Sequence, residues 1–134
     1  MHFDTYQQIF SKANFIQELG CELAKIEEGY CEIHMTIQPK HLQQDGFVHA
    51  GVLATLADHA AGCAAYTVAQ ENTKVLTTEF KINLLRPATG QKIIAISKVL
   101  KPGKMITVCQ SEIFAVNNGK QKMVAIALVS IANT

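Results

Sequence analysis

From Gly51 to about Ala69 the chain runs through a long apolar stretch whose one carboxylate is Asp58. This stretch reads as the single long helix of the fold, and everything else has to be arranged around it. At helical neighbour spacings Asp58 is flanked by Gly51, Ala54, Thr55, Ala61, Gly62 and Ala65, all small. A solvated helix face would carry Lys, Glu or Gln at such positions. Small side chains around an acid leave space into which a ligand, or the backbone of another subunit, can move. Val52, Leu53, Leu56, Ala60, Cys63 and Ala64, on the other side, are expected to face a core.

Ahead of this helix, Tyr6–Glu18 carries Ile9, Phe10, Ala13 and Ile16 at roughly helical spacing and predicts a short amphipathic amino-terminal helix. Cys21–Ile26 and Tyr30–Ile37 read as a hairpin turning at Glu27-Glu28-Gly29. Gln38–Val48 is polar, holds Pro39, Asp45 and Gly46, and reads as a loop. Four strand-like runs follow: Val75–Leu85, Lys92–Lys101, Met105–Asn117 and Gln121–Ile131. Their connections are short and rich in turn residues, which predicts antiparallel neighbours. Lys122–Ile131 is apolar on both parities and is expected to be covered on both faces. The sum is an α+β architecture over residues 1–134, a single domain with one long helix against an antiparallel sheet of about six strands.

At 134 residues the chain can bury a sizeable core, and 49% apolar with 17% charged residues fits a globular protein partly covered by partners. The net charge is +1, and Arg86 is the single arginine, which argues against a nucleic-acid partner. The start MHFDTYQQIF has no basic segment leading into an apolar one, so no signal peptide is expected. Met123–Ala132 is too short to span a bilayer, and Ala50–Ala69 contains Asp58, His59 and two glycines, so no membrane partner is expected. Cys21, Cys31, Cys63 and Cys109 show no CxxC spacing and read as buried small hydrophobes in a reducing cytoplasm.

The spacing His49-x-Gly51-x6-Asp58 at a loop-to-helix junction resembles the hotdog-fold thioesterases, particularly the phenylacetate-degradation type. Where those proteins show His-Gly-Gly and Leu-Ala-Asp, this chain has His49-Ala50-Gly51 and Leu56-Ala57-Asp58. A second stretch, from Thr77-Thr78-Glu79-Phe80 to Arg86-Pro87-Ala88, is similar to the family's third strand with its Arg-Pro-Ala end. The resemblance implies a hotdog fold and hydrolysis of acyl-CoA thioesters with no metal and no cofactor, coenzyme A being part of the substrate. It places Asp58 at the catalytic carboxylate, as nucleophile or as general base for water. The Ala50 N–H falls where the thioester oxygen is held, at a helix amino terminus. Gln43 falls near the attacked carbonyl or water, Thr77 where a hydroxyl orients water or the acid, and His49 where it fixes the loop. Ala50 departs from the usual glycine, and the role holds if this position has negative φ.

Gly51, Phe47, Leu53, Ala54, Tyr66 and Phe80 are candidates to line the acyl tunnel, while Arg86, Lys81, Lys101 and Lys104 could meet the coenzyme's phosphates. His59 and Cys63, at i and i+4, could bind metal or pair with each other, but no further ligand stands at useful spacing. A non-catalytic acyl-CoA-binding module is the alternative reading, and a dehydratase ranks below both because His49 lacks the setting such chemistry needs. One geometric point stands apart from the family. Eight helical steps from Ala50 to Asp58 span about 12 Å. A carbonyl held about 3 Å from its donor and attacked from about 3 Å needs both groups within about 6–7 Å. If both act on one thioester they come from different subunits, so a homodimer is expected, assembled further into a dimer of dimers.

Overall fold

The computed structural model describes residues 3–134. Two short helices, α1 (Phe3–Phe10) and α2 (Asn14–Leu19), precede the hairpin β1 (Cys21–Glu27) and β2 (Tyr30–Thr36). One helical turn at Pro39–His41 leads into the long helix α3 (Ala50–Val68), followed by β3 (Val75–Leu84), β4 (Lys92–Lys101), β5 (Ile106–Asn117) and β6 (Lys120–Asn133). The six strands form one sheet in the order β1-β2-β4-β5-β6-β3, every pairing antiparallel. The α+β expectation of one long helix on a six-stranded antiparallel sheet is met.

Helix α3 buries Leu53, Leu56, Ala57, Ala60, Ala61, Ala64 and Ala65 against the sheet, where Ile33, Met35, Ile93, Ile113, Val129 and Ile131 are fully covered. Alanines at the contact let helix and sheet approach closely, and the Ser111 hydroxyl on β5 donates to the Ala57 carbonyl at 2.7 Å. Ala61 and Ala65, read as part of the open face around Asp58, therefore belong to the core. Val52 and Cys63, read as core, are half-buried at its margin. The open face narrows to Gly51, Ala54, Thr55, Asp58 and Gly62.

Four further expectations are corrected. The amino-terminal helix is two helices, because Phe10 and Ile16 are both buried in the core and six helical steps would set them about 120° apart on one rod. Strands β3 and β4 are not neighbours despite their short connection, since β3 joins the far edge beside β6. Residues 85–91 reach across because the eight steps from Leu84 to Lys92 cover up to about 26 Å when extended, more than three strand spacings of about 4.8 Å. That crossing is pinned: Gly90 has φ +123°, and a Cβ there would lie 2.3 Å from the Val116 carbonyl oxygen. Strand β6 is covered on one face in the single chain, and Leu128 on the other is 51% exposed. His41, within the polar segment read as a surface or loop stretch over Gln38–Val48, is fully buried: its Nε2 donates to the Leu19 carbonyl at 2.8 Å and its Nδ1 accepts from the Gln38 N–H at 2.9 Å. Among the described residues no helix is long and apolar enough to cross a membrane.

Candidate active site

Asp58 stands half-buried midway along α3, and the Thr77 hydroxyl on β3 donates to its Oδ1 at 2.6 Å. Thr77 faces the helix because it lies opposite the inward-facing Ile131. A β-bulge between Thr77 and Glu79 then shifts the alternation, so that Phe80, opposite Val129, also turns inward and Glu79 does not. Without the bulge a second carboxylate would point at Asp58.

The carboxylate opens on a groove of about 1030 Å³ between α1, α3 and the start of β3. Tyr6, Ile9, Phe10, Tyr66 and Leu76 give it apolar walls, with Gly62 leaving room on the helix side. Tyr6 meets Tyr66 edge to face at 6.0 Å, and Phe10 meets the His59 ring at 5.3 Å. Tyr6 and Phe10 are site residues the sequence reading did not single out. The apolar stripe of the first helix was visible, but not what it packs against.

His59 lines the same groove, and its Nε2 is buried with no hydrogen-bond partner. Burial, the strongest influence, works against the imidazolium, yet Cys63 and the charge of Asp58 together raise its pKa above the ordinary histidine value. Beside it the Cys31 thiol holds Cys63 below the usual thiol range, against the effect of burial, while Cys31 itself is pushed up by the same pairing. Among the described residues no three His, Cys, Asp or Glu side chains are placed to share a metal ion.

A second groove, of about 510 Å³, gathers Gln43, Phe47, His49, Ala50 and Arg86. His49 caps α3, its Nδ1 accepting the Gly51 N–H at 2.9 Å while its backbone N–H donates to the His41 carbonyl at 2.8 Å. Because His49 occupies the Gly51 amide, the Ala50 N–H is the free donor of the first turn, with no acceptor among the described residues. Ala50 is not among the positive-φ residues, so alanine fits where the family has glycine. The Gln43 Oε1 accepts the N–H groups of Asp45 at 2.5 Å and Phe47 at 3.3 Å, which leaves its amide NH₂ as the group available to a ligand.

The candidate residues thus fall into two sets on one chain: Asp58, Thr77 and Tyr66 in the first groove, and Gln43, Phe47, His49, Ala50 and Arg86 in the second. Gly51, Ala54 and Phe80 line neither, and Phe80 is 41% exposed on the inner face of β3.

The sequence profile of the thioesterase superfamily matches residues 45–122, which take in every member of both sets except Gln43. The medium/long-chain acyl-CoA thioesterase YigI of Escherichia coli is 27% identical over 128 residues, covering 84% of this chain and 81% of that protein. A thioesterase family protein from Silicibacter pomeroyi superposes with a TM-score of 0.94 at 31% identity, over 97% of this chain and 96% of that one. The PaaI protein of the Escherichia coli phenylacetic acid degradation operon shares the fold, with a TM-score of 0.87 at 24% identity over 98% of this chain and 92% of that one. By its matched profile, its topology and its structural relatives, this chain belongs to the hotdog-fold thioesterase superfamily.

Proposed function

We propose that the chain hydrolyses an acyl-CoA thioester to a carboxylic acid and coenzyme A, with Asp58 driving attack on the carbonyl and the Ala50 N–H of a second subunit holding its oxygen. The observation that carries this reading is the Thr77–Asp58 hydrogen bond at the wall of a large apolar groove. Thr77 occupies one carboxylate oxygen and leaves the other for chemistry. As a general base, Asp58 takes a proton from water as its oxygen bonds to the carbonyl carbon; the C–S bond then breaks and the proton passes to the departing thiolate. As a nucleophile, it forms a mixed anhydride with loss of the thiolate, and water cleaves the anhydride in a second step. In both routes the carbonyl oxygen gains negative charge, which a free amide at a helix amino terminus stabilises. In this scheme coenzyme A enters as part of the substrate and no cofactor takes part.

Two subunits are required by reach. Ala50 and Asp58 lie at opposite ends of a nine-residue run of α3, eight steps and about 12 Å apart along its axis. They also open on different grooves of the same chain. Helix α3 lies chiefly over β2, β4 and β5, which leaves inward-facing Phe80 and Leu84 on β3 41% and 52% exposed. Strand β3 is also an open edge of the sheet. A second copy pairing there covers both side chains and brings its own α3 terminus to Asp58, giving two equivalent sites per dimer. The groove volume and its aromatic walls suit an aromatic or medium-chain acyl group, in keeping with the medium- and long-chain substrates in the name of YigI.

Asp58→Asn tests the reading. Hydrolysis, followed as free thiol across phenylacetyl-, benzoyl-, short- and medium-chain acyl-CoAs, should fall by orders of magnitude while coenzyme A binding persists. Undiminished turnover in that variant would remove Asp58 from the reaction. A wild-type protein that binds acyl-CoA and never cleaves it would establish the non-catalytic module instead.

A further inference from the structure

We infer that Lys120 and Lys122, together with Arg86, seat the phosphate groups at the nucleotide end of the coenzyme; the inference rests on the acyl-CoA reading above. The three cations share a cleft of about 500 Å³ that no carboxylate lines. In a chain of net charge +1, three cations in one cleft is a local excess. Phe47, Arg86 and Pro87 belong both to this cleft and to the groove of the Ala50 amide, so the two are continuous. A thioester held at Ala50 can therefore run its pantetheine arm past Phe47 and leave its phosphates among the cations.

Strand parity makes the placement specific. Across the β5–β6 ladder Lys120 lies opposite Asn117 and Lys122 opposite Ala115, and Ala115 is a buried residue of the inner face. Both lysines thus stand on the side of β6 that further along packs the core, where apolar side chains are the rule. Neither lysine has an ion-pair partner among the described residues. The frame beneath them is stiff. Asn118 and Gly119, at φ 51° and 81°, close a tight two-residue hairpin, and the Asn118 N–H donates to Gln91 Oε1 at 2.9 Å. Arg86 Nη1 donates to the Met123 carbonyl at 2.7 Å, which fixes the guanidinium while leaving further N–H groups for phosphate oxygens.

The test compares one acyl group carried on coenzyme A with the same acyl group on pantetheine, which lacks the phosphates, in wild type and in the Lys120→Gln/Lys122→Gln double variant. The wild-type preference in kcat/KM for the CoA ester over the pantetheine ester should drop roughly tenfold in the variant. The CoA ester's KM should also lose most of its salt dependence. An unaltered preference overturns the inference, as does an equal loss on both esters. A loss confined to an acyl group on acyl-carrier protein also overturns it, because the cleft would then serve an acidic carrier protein. If wild type cleaves no thioester, the acyl-CoA reading fails separately and calorimetry with adenosine 3′,5′-bisphosphate decides the cleft. Binding that the variant loses upholds it; absence of wild-type binding overturns it.

Discussion

The hydroxyl of Thr77 commits one oxygen of Asp58 and so sets the direction in which the other can act. Thr77→Val removes the donor but keeps the branched shape that suits a strand, at a cost of about 1 kcal/mol in stability. Turnover should fall roughly 10- to 100-fold, the usual scale for an orienting partner, with Thr77→Ser restoring most of it. Steady-state kinetics on both variants check this, and equal kcat in Thr77→Val and wild type would mean Asp58 needs no such partner. The Ala50 amide can be deleted without disturbing its helix. Proline is tolerated at the first helical position, where its missing N–H is not used by the helix, and His49 with ψ 137° already has the extended backbone a following proline requires. Ala50→Pro should therefore keep its helical circular dichroism and lose about 10²–10³ in kcat. At this scale the residues were legible only where a motif holds them. His41 looked like a loop residue because its two partners, the Leu19 carbonyl and the Gln38 amide, are brought to it by the closing of the loop onto α2. Nothing in a local spacing announces that.

Elements were read best where their partner is adjacent in sequence. The hairpins β1–β2, β4–β5 and β5–β6 follow from turn residues between strand-like runs, and all three form. The link after β3 carries the same signals, yet it crosses the sheet; turn chemistry fixes where a strand stops and not which strand it then joins. The bulge in β3 is equally silent in sequence, though it decides whether Phe80 or Glu79 turns inward after Thr77. Helix α3 offers a direct test of why its face is bare. A Cβ at Gly62 would meet nothing within 4 Å, so Gly62→Ala removes glycine's cost in a helix interior without a clash. Stability should rise by about 0.5–1 kcal/mol, seen as a higher Tm. Gly62→Leu instead projects into the groove of Asp58, and KM should climb for long acyl groups before short ones. A leucine variant with an unchanged acyl-length profile would place the acyl chain elsewhere.

At the scale of the whole molecule, exposed apolar side chains on β3 and β6 are what the single chain leaves unfinished: Phe80 and Leu84 inward, Leu128 outward. The apolar run in β6 was read as two-sided cover, and within one chain only the helix side is covered. The proposed shared site makes a demand that no single-chain enzyme can imitate. Take two inactive proteins, Asp58→Asn and Ala50→Pro, and let their subunits exchange. In a mixed dimer one site receives both lesions, while the other pairs the intact Asp58 of one chain with the intact Ala50 of its partner. With random exchange half the dimers are mixed and each has one working site of two, so about a quarter of wild-type activity should return. The recovery should rise with incubation as exchange proceeds and vanish when the subunits are prevented from exchanging. If acid and amide acted from the same chain, every chain in the mixture would carry a lesion in its own site, and the mixture would stay as inactive as its components.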